Sequence, residues 1–407
     1  MRKPALTIDN PFTNSYERQL LQLSRGRGAK LWDANGNRYI DLGAGISVNA
    51  LGYGGRRFSR IIARQARRLV HVSNLYTTAP AVELGSRLMG FAMGVIPGGA
   101  AAVHFGNSGA EANEAAIKFA RLYSKARYNH TRTTIVAFQN AFHGRTLGAL
   151  SATPNQKYRH KFEPLVPGFT FLPFNDVKAI ETQIGDDVAA IIVEPIQGEG
   201  GLEVLSHETA EVLRRVCDTK DILLIADEIQ TGLYRTGQRL GSQSVGLHPD
   251  IVTLSKPLAG GLPLSATLIP GHVNELIEPG DHGTTFGGGP VTSAAGLFVI
   301  ERLSGDRFHT NLQHRIQQLD EGLRGLAESS ALLGRLRGEG MLRGIEVTAG
   351  AEKISAILQT ARQLGVLVLR SGKNILRIAP PLVIRKRELA RGLELLGAAI
   401  SEVEKGR

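Results

Sequence analysis

Between residues 100 and 270, short apolar runs alternate with stretches in which apolar residues recur every three to four positions. The runs fall at 101–105, 134–138, 188–193, 222–226, 251–254 and 264–269. Several are continuously apolar rather than alternating, as strands covered on both faces should be. Strands separated by helical crossovers predict an α/β unit with a mostly parallel, doubly wound sheet.

The two ends carry a different pattern. Residues 28–42 read as a hairpin: Lys30-Leu31-Trp32-Asp33, an Ala34-Asn35-Gly36-Asn37 turn, then Arg38-Tyr39-Ile40-Asp41. After Gly289-Pro290 a helical stretch runs to about residue 328, followed by mixed strand and helix. The expected organisation is an N-terminal arm with part of a small domain (1–57), a large domain (58–300) and a small C-terminal α+β domain (301–407).

Composition narrows the class. At 407 residues, 42% apolar and 21% charged, the chain can bury an extensive core and exceeds one ordinary domain. One cysteine, Cys217, excludes an intramolecular disulfide and any cysteine-cluster metal site. The first residues, MRKPALTIDNPF, lack the apolar stretch of a secretory signal, and no run of about 18 apolar residues predicts a membrane span. The expectation is a soluble, cytoplasmic protein with no membrane partner.

The formal charge of +11 raises the question of nucleic acid. The basic residues are dispersed, with one dense patch at 56–68. There Phe58, Ile61, Ile62, Gln65, Ala66 and Leu69 keep helical spacing, so the arginines are predicted to line a solvated helix face. No zinc-finger pattern, aromatic RNA-binding motif or arginine–glycine repeat accompanies them. Attraction of small anions, with no nucleic-acid partner, is the expectation.

In open parallel sheets the chemistry gathers at the carboxyl ends of strands. After 101–105 comes Gly106-Asn107-Ser108-Gly109-Ala110-Glu111 and an amphipathic helix, with Ser108 and Glu111 placed as a capping box. Such a turn is either an ordinary capped strand–helix junction or a phosphate seat built from free N–H groups. After 134–138 comes Asn140-Ala141-Phe142-His143-Gly144-Arg145-Thr146, able to stack on a ring and clamp a carboxylate. After 188–193 comes Glu194-Pro195-Ile196-Gln197-Gly198-Glu199, whose glycines either present Glu199 or leave it solvated. Asp227 follows 222–226, as a strand-end cap or as the partner of a cationic ligand or metal. Lys256 follows 251–254 beside Gly260 and Gly261, either turned outward or held for Schiff-base chemistry.

Together these residues fit pyridoxal 5′-phosphate, which needs a phosphate anchor, a ring platform, an acid for the pyridine nitrogen and an imine-forming lysine. A metal is not expected, because no His/Asp/Glu cluster has ligand spacing. A nicotinamide site is disfavoured by the lack of G-x-G-x-x-G after any strand.

The chain resembles the class III (ω-) aminotransferases of pyridoxal-phosphate fold type I, the aspartate aminotransferase-like fold, and among them the acetylornithine aminotransferases. The resemblance covers nearly the whole chain. It rests on KLWDANGNRYIDLGAGISVNALGYG at 30–54, FGNSGAEANEAAIKFAR at 105–121, AFHGRTLGALSAT at 141–153 and KFEPLVPGF at 161–169. It continues with VEPIQGEGG at 193–201, IADEIQTGLYRTG at 225–237, PDIVTLSK at 249–256 and HGTTFGGGP at 282–290.

The resemblance implies that Ser108, Gly109 and Ala110 hold the cofactor phosphate, joined by Thr285 from the second copy of a homodimer. It implies Phe142 and Ile229 on opposite faces of the pyridine ring, Asp227 at the ring nitrogen, Gln230 at the phenolic oxygen and Lys256 as the imine-forming, catalytic lysine. For substrates it implies Arg145, assisted by Tyr16, on the distal carboxylate and Arg377 on the glutamate α-carboxylate, with Glu199 pairing Arg377 when the amino donor lacks a group there. The implied reaction moves the δ-amino group of N-acetylornithine to 2-oxoglutarate. Other donors of the class are N-succinylornithine, N-succinyl-diaminopimelate, 4-aminobutyrate, ornithine and lysine-pathway amines; an aminomutase or racemase on this fold is a smaller alternative.

Three positions depart from the family pattern. Gly287-Gly288-Gly289-Pro290 stands where Gly-Gly-Asn-Pro is common, and Tyr53-Gly54-Gly55-Arg56 where many relatives read His-x-His-Pro. Ile46 occupies a position where ornithine aminotransferases have tyrosine, favouring an acylated donor or 4-aminobutyrate.

Overall fold

The computed structural model describes residues 12–17, 21–129 and 131–406. Its centre is a seven-stranded sheet in the order Ala102–Gly106, Ser265–Ile269, Ile251–Leu254, Leu223–Asp227, Val188–Val193, Thr134–Phe138, Phe169–Leu172. All neighbouring pairs from Ile251–Leu254 to Phe169–Leu172 are parallel. Ser265–Ile269 is antiparallel to both of its neighbours.

The continuously apolar runs are covered on both faces. Val188–Val193, Leu223–Asp227 and Ile251–Leu254 are buried at every position. Alternate residues feed two cores: Ile135, Ala137, Leu223 and Ile225 pack into one, and Val136, Phe138, Leu224 and Ala226 into the other. Helix Gly109–Tyr128 covers the first face with Ala112, Ala115, Ala116 and Ala120, small residues that let it approach the strands closely.

The remaining elements form two further sheets. Leu333–Glu339, Leu342–Val347, Ile375–Ile378 and Leu369–Ser371 make an antiparallel sheet. The predicted hairpin is present as Lys30–Asp33 and Arg38–Asp41, extended by Leu23–Arg27. Val366–Leu367 adds to it in parallel, joining the chain's N-terminal part to its C-terminal part.

Three expectations change. Phe169–Leu172 is an additional strand. The helical stretch after Pro290 is two helices, Pro290–Leu303 and Asp306–Ser329, broken at Ser304-Gly305. At the start of Gly109–Tyr128 the capping is displaced: Ser108 Oγ accepts from Glu111 N, but the Glu111 carboxylate accepts from Asn107 N at 2.7 Å. Helix Arg56–Arg68 has no fully buried residue, so its arginines face solvent as expected.

One segment is strained. Ala44, Gly45, Ile46 and Ser47 run left-handed, with φ of 48°, 63°, 61° and 66°. Left-handed backbone costs roughly 1–2 kcal/mol for each residue that carries a Cβ, and three of these do. No described helix is long and apolar enough to cross a membrane.

Candidate active site

The strand ends converge on one site. Asp227, last residue of its strand, is 3% exposed. Its Oδ2 accepts from His143 Nδ1 at 2.8 Å and from Asn113 Nδ2 at 2.8 Å, and its Oδ1 accepts from Ile229 N at 3.1 Å. Asn113 also donates to His143 O at 2.7 Å and accepts from Thr253 Oγ1 at 2.8 Å. Helix Gly109–Tyr128, strand Ile251–Leu254 and the loop after Phe138 are thereby fastened to one carboxylate. Such a buried acid needs these donors, because an unpaired one would carry its full desolvation cost.

Lys256 begins a one-turn helix, Lys256–Ala259, directly after strand Ile251–Leu254 and Ser255. Its amine makes no hydrogen bond or ion pair among the described residues. Burial lowers its pKa; Arg377 adds to this, while Glu199, Asp227 and Glu194 oppose it. A partly dehydrated, unpartnered amine is suited to nucleophilic work.

Arg377, 2% exposed, lies in strand Ile375–Ile378 of the antiparallel sheet and reaches across to the large sheet's loops. It is paired with Glu199, and also donates to Gly198 O at 2.9 Å and to Gln230 Oε1 at 3.3 Å. Burial raises the Glu199 pKa, but Arg377, Lys256 and Gln230 together outweigh it and hold the carboxyl below its ordinary range. A Cβ on Gly198 would stand 2.4 Å from Gln230 Cδ, so a side chain there would displace the Gln230 amide.

At the sheet's other side, Ser108 caps the 20-residue helix Gly109–Tyr128 and leaves the N–H groups of Gly109 and Ala110 at its open end. A Cβ on Gly109 would lie 2.8 Å from Ile229 Cδ1, so the turn and Ile229 share one wall. Three further expected residues are exposed. Arg145 is exposed, its guanidinium 3.6 Å over the Tyr158 ring and 5.5 Å over that of half-buried Phe142. Tyr16 is exposed on the stretch 12–17. Thr285 is exposed, and no hydrogen bond joins it to Ser108, Gly109 or Ala110.

Sequence reasoning missed Asn113 and Glu194. Asn113 is a buried amide on a helix face made mostly of alanine and other apolar residues. Glu194, 6% exposed, accepts from Phe142 N at 3.0 Å and Gly198 N at 3.3 Å, and so ties the ring-stacking loop to the Glu199 loop. Burial, reinforced by the Asp227 charge, raises its pKa well above the carboxylate range. Each left a signal: a polar residue in an apolar stripe, and a carboxylate directly after six buried positions.

These features fit pyridoxal phosphate. The turn offers N–H donors for an anion, Asp227 an oriented acid, and Lys256 a free amine, while among the described residues no group of His, Cys, Asp and Glu is placed to hold a metal.

Comparisons with known proteins point the same way. Residues 12–400 match the family Aminotransferase class-III. The acetylornithine aminotransferase of Caldanaerobacter subterraneus subsp. tengcongensis is 39% identical over 390 residues, covering 96% of this chain and 97% of its own. The N-acetylornithine aminotransferase of Stenotrophomonas maltophilia superposes with a TM-score of 0.83 at 33% identity, over 96% of this chain and 98% of that one. The ornithine aminotransferase of Toxoplasma gondii, with pyridoxal phosphate at partial occupancy in its active site, gives 0.90 at 31% identity, over 97% and 92%. The chain belongs to the class III aminotransferases, pyridoxal-phosphate-dependent transaminases of fold type I.

Proposed function

We propose that this enzyme moves the δ-amino group of N-acetyl-L-ornithine to 2-oxoglutarate, giving N-acetylglutamate semialdehyde and L-glutamate. The observation that carries the reading is the Arg377–Glu199 pair beside Lys256. An ω-amino donor leaves Arg377 without a carboxylate, and Glu199 then satisfies it; glutamate brings an α-carboxylate that takes the place of Glu199. One site thus accepts two unlike substrates without stranding a buried charge. The curated relatives at about 39% identity carry the name of this donor.

Bound pyridoxal phosphate supplies an electron sink and a carrier for the amino group. Ser108, Gly109 and Ala110 would receive the phosphate, with Thr285 of the partner subunit completing the seat in a homodimer. Phe142 and Ile229 would confine the ring between them, and Gln230 would donate to its phenolic oxygen. Asp227, fixed by His143 and Asn113, would keep a proton on the ring nitrogen. Lys256 Nζ takes the proton from the carbon that bears the reacting amine. Arg145, with Tyr16, receives the carboxylate at the far end of either substrate. The small and large domains, divided near residues 57 and 300, close on the site from two sides, and the setting is the cytoplasm.

A half-reaction screen tests the donor. Cofactor-loaded enzyme is mixed with each candidate amine and the visible absorbance band is followed. N-acetylornithine is expected to discharge the band with the highest kcat/KM; a higher value for N-succinylornithine, 4-aminobutyrate or free ornithine would replace this reading.

A further inference from the structure

An open cavity of about 550 Å³ lies where helix Arg56–Arg68 packs on helix Pro290–Leu303. None of Lys256, Asp227, Glu199 and Arg377 lines it, so it is separate from the active site. Its volume falls in the range of small-molecule pockets. Leu51, Ile62, Phe298 and Val383 give it an apolar wall, with the rings of Phe58 and Phe298 5.9 Å apart. Arg56, Arg57 and Arg302 give it a cationic one, and no acidic residue among the described residues lines it.

The three guanidiniums differ. Arg57 donates to Glu301 Oε1 at 3.0 Å and lies 5.4 Å over the Phe298 ring. Arg56 and Arg302 make no hydrogen bond or ion pair among the described residues. Two positive charges therefore stand uncompensated beside apolar surface. Gly55, also in the lining, belongs to the stretch that departs from the family's His-x-His-Pro. Its φ of −71° suits any residue, and a Cβ there would meet only Phe58 Cβ, at 3.5 Å. Neither backbone nor space requires a glycine. Ser, Asp or Asn would cap helix Arg56–Arg68, which has no side-chain cap and no acid in its first turn. Arg56 and Arg57 stand there instead, at the positive end of the helix, where cations are disfavoured and an anion is favoured.

We propose that this cavity binds a phosphate monoester with an apolar body. Arg56 and Arg302 hold the phosphate beside the open N–H groups of the helix, and Ile62, Phe298 and Val383 take the body. Two uncompensated guanidiniums match a dianion better than a single carboxylate. The site holds whichever amine the enzyme takes as donor.

Calorimetric titration of the cofactor-loaded enzyme with phenyl phosphate tests it. Phenyl phosphate is expected to bind about 10-fold more tightly than inorganic phosphate, through burial of its ring, and about 10-fold more tightly than phenylacetate, which brings one charge. Arg56→Ala combined with Arg302→Ala is expected to weaken phenyl phosphate at least about 10-fold. Gly55→Asp supplies a cap and a negative charge, so its melting temperature is expected to hold or rise while phenyl phosphate affinity falls at least about 10-fold. Stability and affinity moving apart in this way is not the result of misfolding. Arg145→Ala, at the active site, is expected to leave the affinity unchanged. A wild-type enzyme that binds no phenyl phosphate, or binds inorganic phosphate or phenylacetate as tightly, would overturn the proposal. So would an affinity untouched by the Arg56/Arg302 and Gly55 variants, or one lost in Arg145→Ala alone, which would place the probe at the active site.

Discussion

His143 Nδ1 lies 2.8 Å from Asp227 Oδ2, with both side chains sealed from solvent. With Asn113 on the same oxygen, the pair fixes the direction of a carboxylate at the end of the central strand Leu223–Asp227. Electrostatic groups act best when already oriented, and deleting one typically costs about 10²–10³ in rate. Asp227→Ala is therefore expected to lower kcat/KM by about that factor. His143→Phe leaves Asn113 as the only side-chain donor to Asp227 among the described residues and is expected to cost about 1–3 kcal/mol of stability, the range for orphaning a buried acceptor. Steady-state kinetics and denaturant midpoints check the two.

The proposed role of Lys256 in the covalent step has a direct test. The cofactor-free protein treated with pyridoxal phosphate and borohydride is expected to be labelled at Lys256, and peptide mapping reads the position. Lys256→Ala should lose the label and at least about 10²–10⁴-fold in kcat, the scale of one positioned proton-transfer group. The lowered pKa also has a thermodynamic sign. Between the folded and unfolded values the unfolded chain binds the extra proton, so the stability of the cofactor-free protein rises with pH through that window. Lys256→Met should flatten this rise on the alkaline side.

The Glu199–Arg377 pair predicts an asymmetry. Glu199→Ala leaves Arg377 with Gly198 O and Gln230 Oε1, so its charge is not wholly orphaned. The ω-amine half-reaction is expected to slow about 10-fold, whereas glutamate, which no longer competes with Glu199, should bind at least as well. Because the Glu199 carboxyl lies below its ordinary range, it stays ionised down to acid pH. Its contribution is present above the unfolded value and fades only as pH falls through the folded one. Separate half-reaction kinetics across pH 5–9 should show no titration from this residue; equal losses in both half-reactions would remove the gate.

Much of this was legible in the chain. Val188–Val193 and Leu223–Asp227 announce a two-sided sheet through unbroken apolar runs; Asp227 closes one such run, and Lys256 stands two residues beyond another. Phe169–Leu172 escaped notice because it is a four-residue edge strand with only its last position buried. The reversed direction of Ser265–Ile269 has a local cause: the connection 255–264 is too short for the helical crossover that a parallel neighbour requires. Asn113 and the role of His143 depend on contacts with residues more than 80 positions away, which no local pattern encodes. The left-handed turn at Ala44–Ser47 was hidden for a different reason, since Ile46 is a residue that sequence rules would place anywhere but there.

Glu194 provides a test that does not depend on turnover. Burial and the nearby Asp227 charge raise its pKa well above the ordinary carboxylate range, against the pull of Phe142 N, Lys256 and Gly198 N. A carboxyl raised in the folded state stabilises fully below its unfolded value, about 4.3, and that contribution is lost as pH rises through the folded value. Glu194→Gln keeps an acceptor for Phe142 N or Gly198 N and never ionises. Its melting temperature, measured on the cofactor-free protein, should match the wild type near pH 4 and exceed it progressively as pH rises. Glu194→Ala should instead be less stable than the wild type near pH 4, by about 1–3 kcal/mol, because Phe142 N and Gly198 N lose their acceptor, and the gap should narrow as pH rises. A Gln variant whose melting temperature runs parallel to the wild type from pH 4 to 9 would show that Glu194 titrates as an ordinary carboxylate, and that the loop bearing Phe142 is held by an ionised rather than a protonated acid.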